Sequence, residues 1–165
     1  LGAQVLNDTV PKALALLDKP FEVLHQCGRN NEAATQAAYS EQDLSKHQFT
    51  VQPFINDMAA AYNWADVIVC RAGALTVTEI QNVGIAAIFV PLPHAVDDHQ
   101  TANARTLTSH DAAILLPQSE LTAARLHDEL AVLNRDSCLT MAKKGHALAN
   151  RSASQQVADI IWQAL

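Results

Sequence analysis

The chain is 165 residues long, 49% of them hydrophobic and 17% charged, with a formal charge of −6. That length suffices for one domain with a real core, and no stretch approaches the ~18 uninterrupted apolar residues of a membrane span. No basic stripe is present to neutralise phosphates, so the chain is not expected to bind nucleic acid or an anionic membrane by itself.

Leu1-Gly2-Ala3 carries neither an initiator Met nor a signal-peptide pattern and reads as the interior of a longer chain. The first helical stretch contains Pro11, which predicts a kink or two short helices. Strand and helix then alternate: strand 21–25, helix 31–39, strand 49–51, and helix 56–63 with Asn56 as its N-cap. Strand 66–70 follows, buried by its β-branched run, then helix 74–83 stopped by Gly84, and buried strand 86–90. Helix 97–108, strand 112–116 and helices 122–133, 137–149 and 153–164 close the chain. The most apolar stretch, 83–93, is broken by Gly84, Pro91 and Pro93. Cys27, Cys70 and Cys138 are isolated, with no CxxC spacing, and are expected as reduced thiols of a cytosolic protein.

Alternating strands and helices predict an α/β fold: a Rossmann-like parallel sheet with helices on both faces. The strands are apolar throughout, as strands covered on both sides are. Such sheets bind ligands beyond the carboxyl ends of their strands, so the loops after Val51, Cys70 and Val90 are the candidate sites.

After Cys70, Gly73 is expected to turn the chain so that a helix starts. Its first amides have no partner inside the helix and, with the dipole, favour an anion such as a phosphate. A turn whose amides are capped by solvent fits the same spacing. Glu79, one turn further in, either complements the dipole or accepts hydrogen bonds from two ribose hydroxyls beside that phosphate. In the loop after Gln52-Pro53, Phe54, Ile55 and Met58 are either ordinary core or an apolar clamp for a flat base. Downstream, a proline-stiffened loop leads to His94, Asp97, Asp98, His99 and Gln100. Sugar hydroxyls suit these side chains better than a metal, because Asp97 and Asp98 also serve as helix-start residues and no helical HxxxH pair exists. GxGxxG, GxxxxGK[ST] and GxSxG are absent.

Two stretches, INDMAAAYNWADVIVCRAGALTVTEI at 55–80 and FVPLPHAVDDHQTANA at 89–104, closely resemble the MurG family of UDP-N-acetylglucosamine:lipid-linked muramoyl-pentapeptide N-acetylglucosaminyltransferases. LGAQVLNDTVPKAL at 1–14 resembles the continuation of that family's glycine-rich GGS-x-GA loop. The resemblance covers essentially the whole chain. It implies the C-terminal, donor-binding domain of a two-domain GT-B glycosyltransferase over residues 1–165, without the N-terminal acceptor domain, the first strand or the catalytic base. It implies that Phe54, Ile55 and Met58 surround uracil, with Ile55 offering backbone bonds to the base edge. Gly73, Ala74, Leu75 and Thr76 then face the diphosphate, Glu79 binds the ribose, and His99 and Gln100 read the sugar, with Gln100 on its O3 and O4 hydroxyls. A role for Asn103 is left open, the loop being one residue longer than in some relatives.

The implied partners are UDP-N-acetylglucosamine and, through the absent domain, the lipid-linked acceptor. The implied reaction is inverting transfer to the muramoyl C4 hydroxyl, in peptidoglycan synthesis at the cytoplasmic side of the bacterial inner membrane. No cofactor or metal is implied, and no DxD motif occurs. A UDP-sugar binding module without turnover is the alternative for this chain alone. Another GT-B enzyme, such as a UDP-N-acetylglucosamine 2-epimerase or a small-molecule glycosyltransferase, shares the nucleotide logic but not the ALTVTEI and DDHQTANA wording.

Overall fold

The computed structural model describes residues 4–93 and 98–150, together with Ser152, Asp159, Ile161 and Trp162. His94 and Asp97, and most of the helix expected over 153–164, lie outside the described residues. The elements run α1 (Gln4–Leu14), β1 (Glu22–Gln26), α2 (Glu32–Ser40), β2 (Gln48–Gln52), α3 (Met58–Trp64), β3 (Val67–Cys70), α4 (Ala74–Val83), β4 (Ala86–Phe89), α5 (His99–Thr108), β5 (Ile114–Leu115), α6 (Ala123–Val132) and α7 (Arg135–Ala147). A 3-10 turn, Gln118–Glu120, precedes α6.

All strand pairs are parallel, in two sheets. β1 pairs with β2 from Glu22↔Gln48 to Gln26↔Gln52, and β3, β4 and β5 form the second sheet in that order. The two sheets face each other across a slot, because β1 residues 22–26 and β3 residues 67–70 line one cleft of about 530 Å³. Across the molecule the order is β2, β1, slot, β3, β4, β5. The chain winds outward in one direction, then crosses back and winds outward in the other.

Side chains of β4 show how the sheet is covered. Ile88 and Val90 belong to one core with Leu6, Leu14, Tyr39, Leu116 and Leu126, whereas Ala87 and Phe89 belong to another with Tyr62, Val77, Ile80 and Leu107. A strand sends alternate residues to opposite faces, so α1, α2 and α6 cover one face and α3, α4, α5 and α7 the other. Residues 86–90 are at most 0% exposed, which explains their unbroken apolar run. β3 differs. Expected to be buried, it is half-buried at every position, because its far edge borders the slot, with no strand beside it among the described residues.

Several local expectations are corrected. Pro11 sits buried inside one helix rather than dividing it in two. It removes the bond its own N–H would have made, yet its carbonyl still accepts from Ala15 N–H at 3.2 Å. Asp57, not Asn56, caps α3, its Oδ1 accepting from Ala60 N–H at 2.9 Å. α7 starts two residues before the expected Ser137, because Asn134 and Ser137 cap it reciprocally. Gly84 does end α4 as expected, at φ 74 with its N–H on the Ile80 carbonyl.

Candidate functional site

Reversal of winding direction makes the carboxyl ends of β1 and β3 a topological switch point, where open α/β sheets bind ligands. The cleft opens there. Of the residues singled out in the sequence, Phe54, Ile55, Met58, Thr76 and Glu79 line it. Gly73, Ala74 and Leu75 lead into Thr76 at the helix start without lining it. His99 and Gln100 stand on the first turn of α5, beyond β4.

α4 begins abruptly. Gly73 is its N-cap and supplies no capping side chain, so the amides of Ala74, Leu75 and Thr76 have no acceptor within the helix. The expected reason for glycine is corrected: its φ of −63° is open to any residue, so the turn does not demand it. A Cβ there would meet only Thr76 Oγ1, at 3.8 Å. Leu75, 80% exposed, and Ala74 leave the helix start open to solvent. An exposed, uncapped N-terminus with its dipole suits a diphosphate.

Glu79 lies on the next turn, exposed, and its Oε2 accepts a hydrogen bond from Tyr62 Oη at 2.9 Å. Tyr62 is 8% exposed. Burial, and then the hydrogen bond and charge of Glu79, push its phenol pKa well above the usual range. On the base side, Phe54 is exposed in the loop after β2, and Met58 is the first residue of α3. Ile55 N–H already donates to Gln26 Oε1 at 2.9 Å, so a base edge reaches that amide only by displacing an exposed glutamine side chain. Cys70 also lines the cleft, but burial pushes its thiol up to about 12, so it is no nucleophile.

A set of polar contacts joins the phosphate-side turn to the loop after β4. Arg71 Nη1 donates to the carbonyls of Val90 (3.0 Å) and Pro91 (3.1 Å), and Asn103 Nδ2 donates to the Ala72 carbonyl at 3.1 Å. Gln100 Oε1 accepts from Leu92 N–H at 2.9 Å, which leaves its two amide N–H groups to face outward partners as donors. Asp98, expected as a capping residue, occupies the N-cap of α5 at φ 51 yet caps nothing with its side chain. Among the described residues no three His, Cys, Asp or Glu side chains converge on a metal-sized site. Tyr62, Gln26 and Arg71 were not singled out in the sequence; their partners are 17, 29 and 19 residues away, beyond any local pattern.

Known proteins resemble this chain along almost its whole length. Residues 1–161 match the glycosyltransferase family 28 C-terminal domain. The chain is 84% identical over all its 165 residues to a UDP-N-acetylglucosamine--N-acetylmuramyl-(pentapeptide) pyrophosphoryl-undecaprenol N-acetylglucosamine transferase of Psychrobacter cryohalolentis, covering 46% of that protein. It is 53% identical over 161 residues to the enzyme of the same name from Aeromonas hydrophila, covering 96% of this chain and 44% of the relative. A crystal structure of MurG from Acinetobacter baumannii superposes with a TM-score of 0.94 at 48% identity, over 99% of this chain and 47% of that one. A glycotransferase of kitacinnamycin shares the fold, with a TM-score of 0.64 at 22% identity over 95% of this chain and 38% of that one. The chain thus spans somewhat under half the length of the relatives it matches.

Proposed function

The chain belongs to the family of glycosyltransferase family 28 C-terminal domains, and from that premise we propose that it is the donor-binding half of an inverting N-acetylglucosaminyltransferase. The donor is UDP-N-acetylglucosamine, and the acceptor is the C4 hydroxyl of a lipid-linked muramoyl-pentapeptide. The observation that carries the reading is the convergence of Phe54, Ile55, Met58, Thr76 and Glu79 on one cleft at the switch point, beside the uncapped start of α4.

Each part has a task. Phe54 and Met58 flank the uracil, and Ile55 meets its edge. Glu79 accepts from the ribose hydroxyls. The amides of residues 74–76 and the α4 dipole hold the diphosphate and take up the negative charge that grows as UDP leaves. His99 and Gln100 read the sugar, Gln100 as a donor to O3 and O4. The acceptor surface and the base that deprotonates the attacking hydroxyl belong to the other half of the protein, so this half binds donor without turning it over. The site of action is the cytoplasmic face of the inner membrane, with membrane contact made mainly by the other half. No described helix is long and apolar enough to cross a membrane.

The slot between β1 and β3 belongs to the same reading. Helices α2, α4 and α5 each lie between two consecutive strands that pair in parallel, and a parallel strand leading into α1 would give that helix the same setting. An extended segment leading into α1 fills the slot, completes a single sheet and brings its glycine-rich end to the diphosphate.

Calorimetric titration with UDP and with UDP-N-acetylglucosamine, in EDTA, tests the reading. Binding of both is expected once the slot segment is present. If the chain extended by that segment binds neither, the nucleotide reading falls; if only the extended chain binds, the glycine-rich end is part of the pocket.

A further inference from the structure

We propose that Tyr62 is the positioning residue of the ribose subsite: its hydroxyl holds the Glu79 carboxylate in the orientation that receives both ribose hydroxyls. The inference rests on Glu79 being the ribose carboxylate of the function proposed above.

The direction of the bond is forced. An ionised carboxylate only accepts, so at 2.9 Å the phenol must be the donor. Burial and the neighbouring Glu79 raise the phenol pKa, which favours the protonated, donating form. The two partners differ in freedom. Tyr62 is packed in the core with Val77, Ile80 and Phe89, whereas Glu79 is solvent-exposed where it lines the cleft. An exposed glutamate samples many rotamers and must give them up when it binds a ligand. A hydrogen bond from an immobile partner removes that freedom beforehand, so less affinity is lost on binding. Fixing Oε2 occupies about one of the carboxylate's four lone-pair directions. The remainder accept from a vicinal diol.

Placement in the sequence fits this role. Tyr62 follows Met58 by four residues on α3, which puts both on one face of that helix, and both line the cleft. One helix thus carries a base-side contact and the anchor of the ribose-side carboxylate. It sets the distance between two subsites that a uridine nucleotide must span together.

The test is titration of the full-length polypeptide with UDP and with 2′,3′-dideoxy-UDP, which lacks both hydroxyls. The unaltered protein is expected to prefer UDP by about tenfold. Tyr62→Phe, which removes one oxygen and keeps the ring, should reduce that preference to about threefold or less while moving dideoxy-UDP affinity by less than about twofold. Glu79→Gln, which keeps an acceptor for Tyr62, should collapse the preference as well. An unchanged preference in Tyr62→Phe, or equal weakening of both ligands, overturns the assignment and leaves Tyr62 a core residue. Equal binding of both ligands by the unaltered protein overturns the ribose role of Glu79 itself, and absence of UDP binding overturns the nucleotide site.

Discussion

Gln100 shows how one hydrogen bond fixes what a side chain can offer. With Oε1 engaged by Leu92 N–H, its amide meets a sugar as a donor only. Gln100→Glu keeps the acceptor for Leu92 and removes both donors, whereas Gln100→Ala removes everything. Both variants are therefore expected to weaken UDP-N-acetylglucosamine by about five- to tenfold and to leave UDP within about twofold, as calorimetry can establish. Equal losses for the two ligands would remove Gln100 from the sugar subsite. If Ala behaves as expected and Glu retains sugar affinity, the amide acts as an acceptor instead. The residue types of this site were legible in the sequence, because a helix start after a strand and a carboxylate one turn in carry their chemistry locally. The bonds that orient them were not. Tyr62 to Glu79, Gln26 to Ile55 and Asn103 to Ala72 each join different elements, and nothing in the spacing of either partner announces the other.

Buried polar links decide how the first helix docks on the sheet. Asn7 Nδ2 donates to the Cys27 carbonyl at 3.0 Å, which leaves its Oδ1 to accept from His25 Nε2 at 2.9 Å. His25 Nδ1 then accepts from Tyr39 Oη at 2.9 Å. The chain of donors leaves one tautomer, and α1, β1 and α2 are joined through a neutral imidazole. Burial pushes the His25 pKa down to about 4 from 6.5. Above about pH 6.5 neither the folded nor the unfolded chain protonates it, and its full contribution is present. Between about 6.5 and 4 the unfolded chain takes a proton that the fold refuses, so stability falls with falling pH, by up to about 3 kcal/mol. Urea unfolding at pH 7 and pH 4.5 measures this, with His25→Gln as the control that cannot titrate. The loss should shrink by about 2 kcal/mol in the variant, and an equal loss would assign it to carboxylates. At this scale the sequence was informative wherever pattern and punctuation agreed, as at α4 and Gly84. It misled where two adjacent residues cap equally well, as Asn56 and Asp57 do, and where a strand's burial depends on what borders its far edge, as for β3 along the slot.

Completion of the sheet makes the most direct prediction for the whole molecule. In a parallel ladder successive residues turn their amides to opposite sides. Gln48 N–H bonds the Phe21 carbonyl and Cys27 N–H bonds the Gln52 carbonyl, so the odd-numbered residues of β1 face β2. Glu22, Leu24 and Gln26 therefore aim their amides into the slot. Val90 N–H bonds the Cys70 carbonyl, so Ile68 and Cys70 face β4, and Val67 and Val69 aim into the slot from the other side. Those five amides have no sheet partner among the described residues, and bare strand edges with an apolar lining are poor company for water and an invitation to another strand. Hydrogen exchange on the chain alone and on the chain extended into α1's preceding segment should therefore differ at these five positions. Glu22, Leu24, Gln26, Val67 and Val69 should exchange quickly in the first and gain protection in the second. Val23, His25, Ile68 and Cys70 should be protected in both, apart from whatever global stability the added strand confers. Fast exchange at the five positions in the extended chain would mean that the slot holds no strand. The gap between β1 and β3 would then be a true ligand cleft running from the nucleotide site down to Leu130.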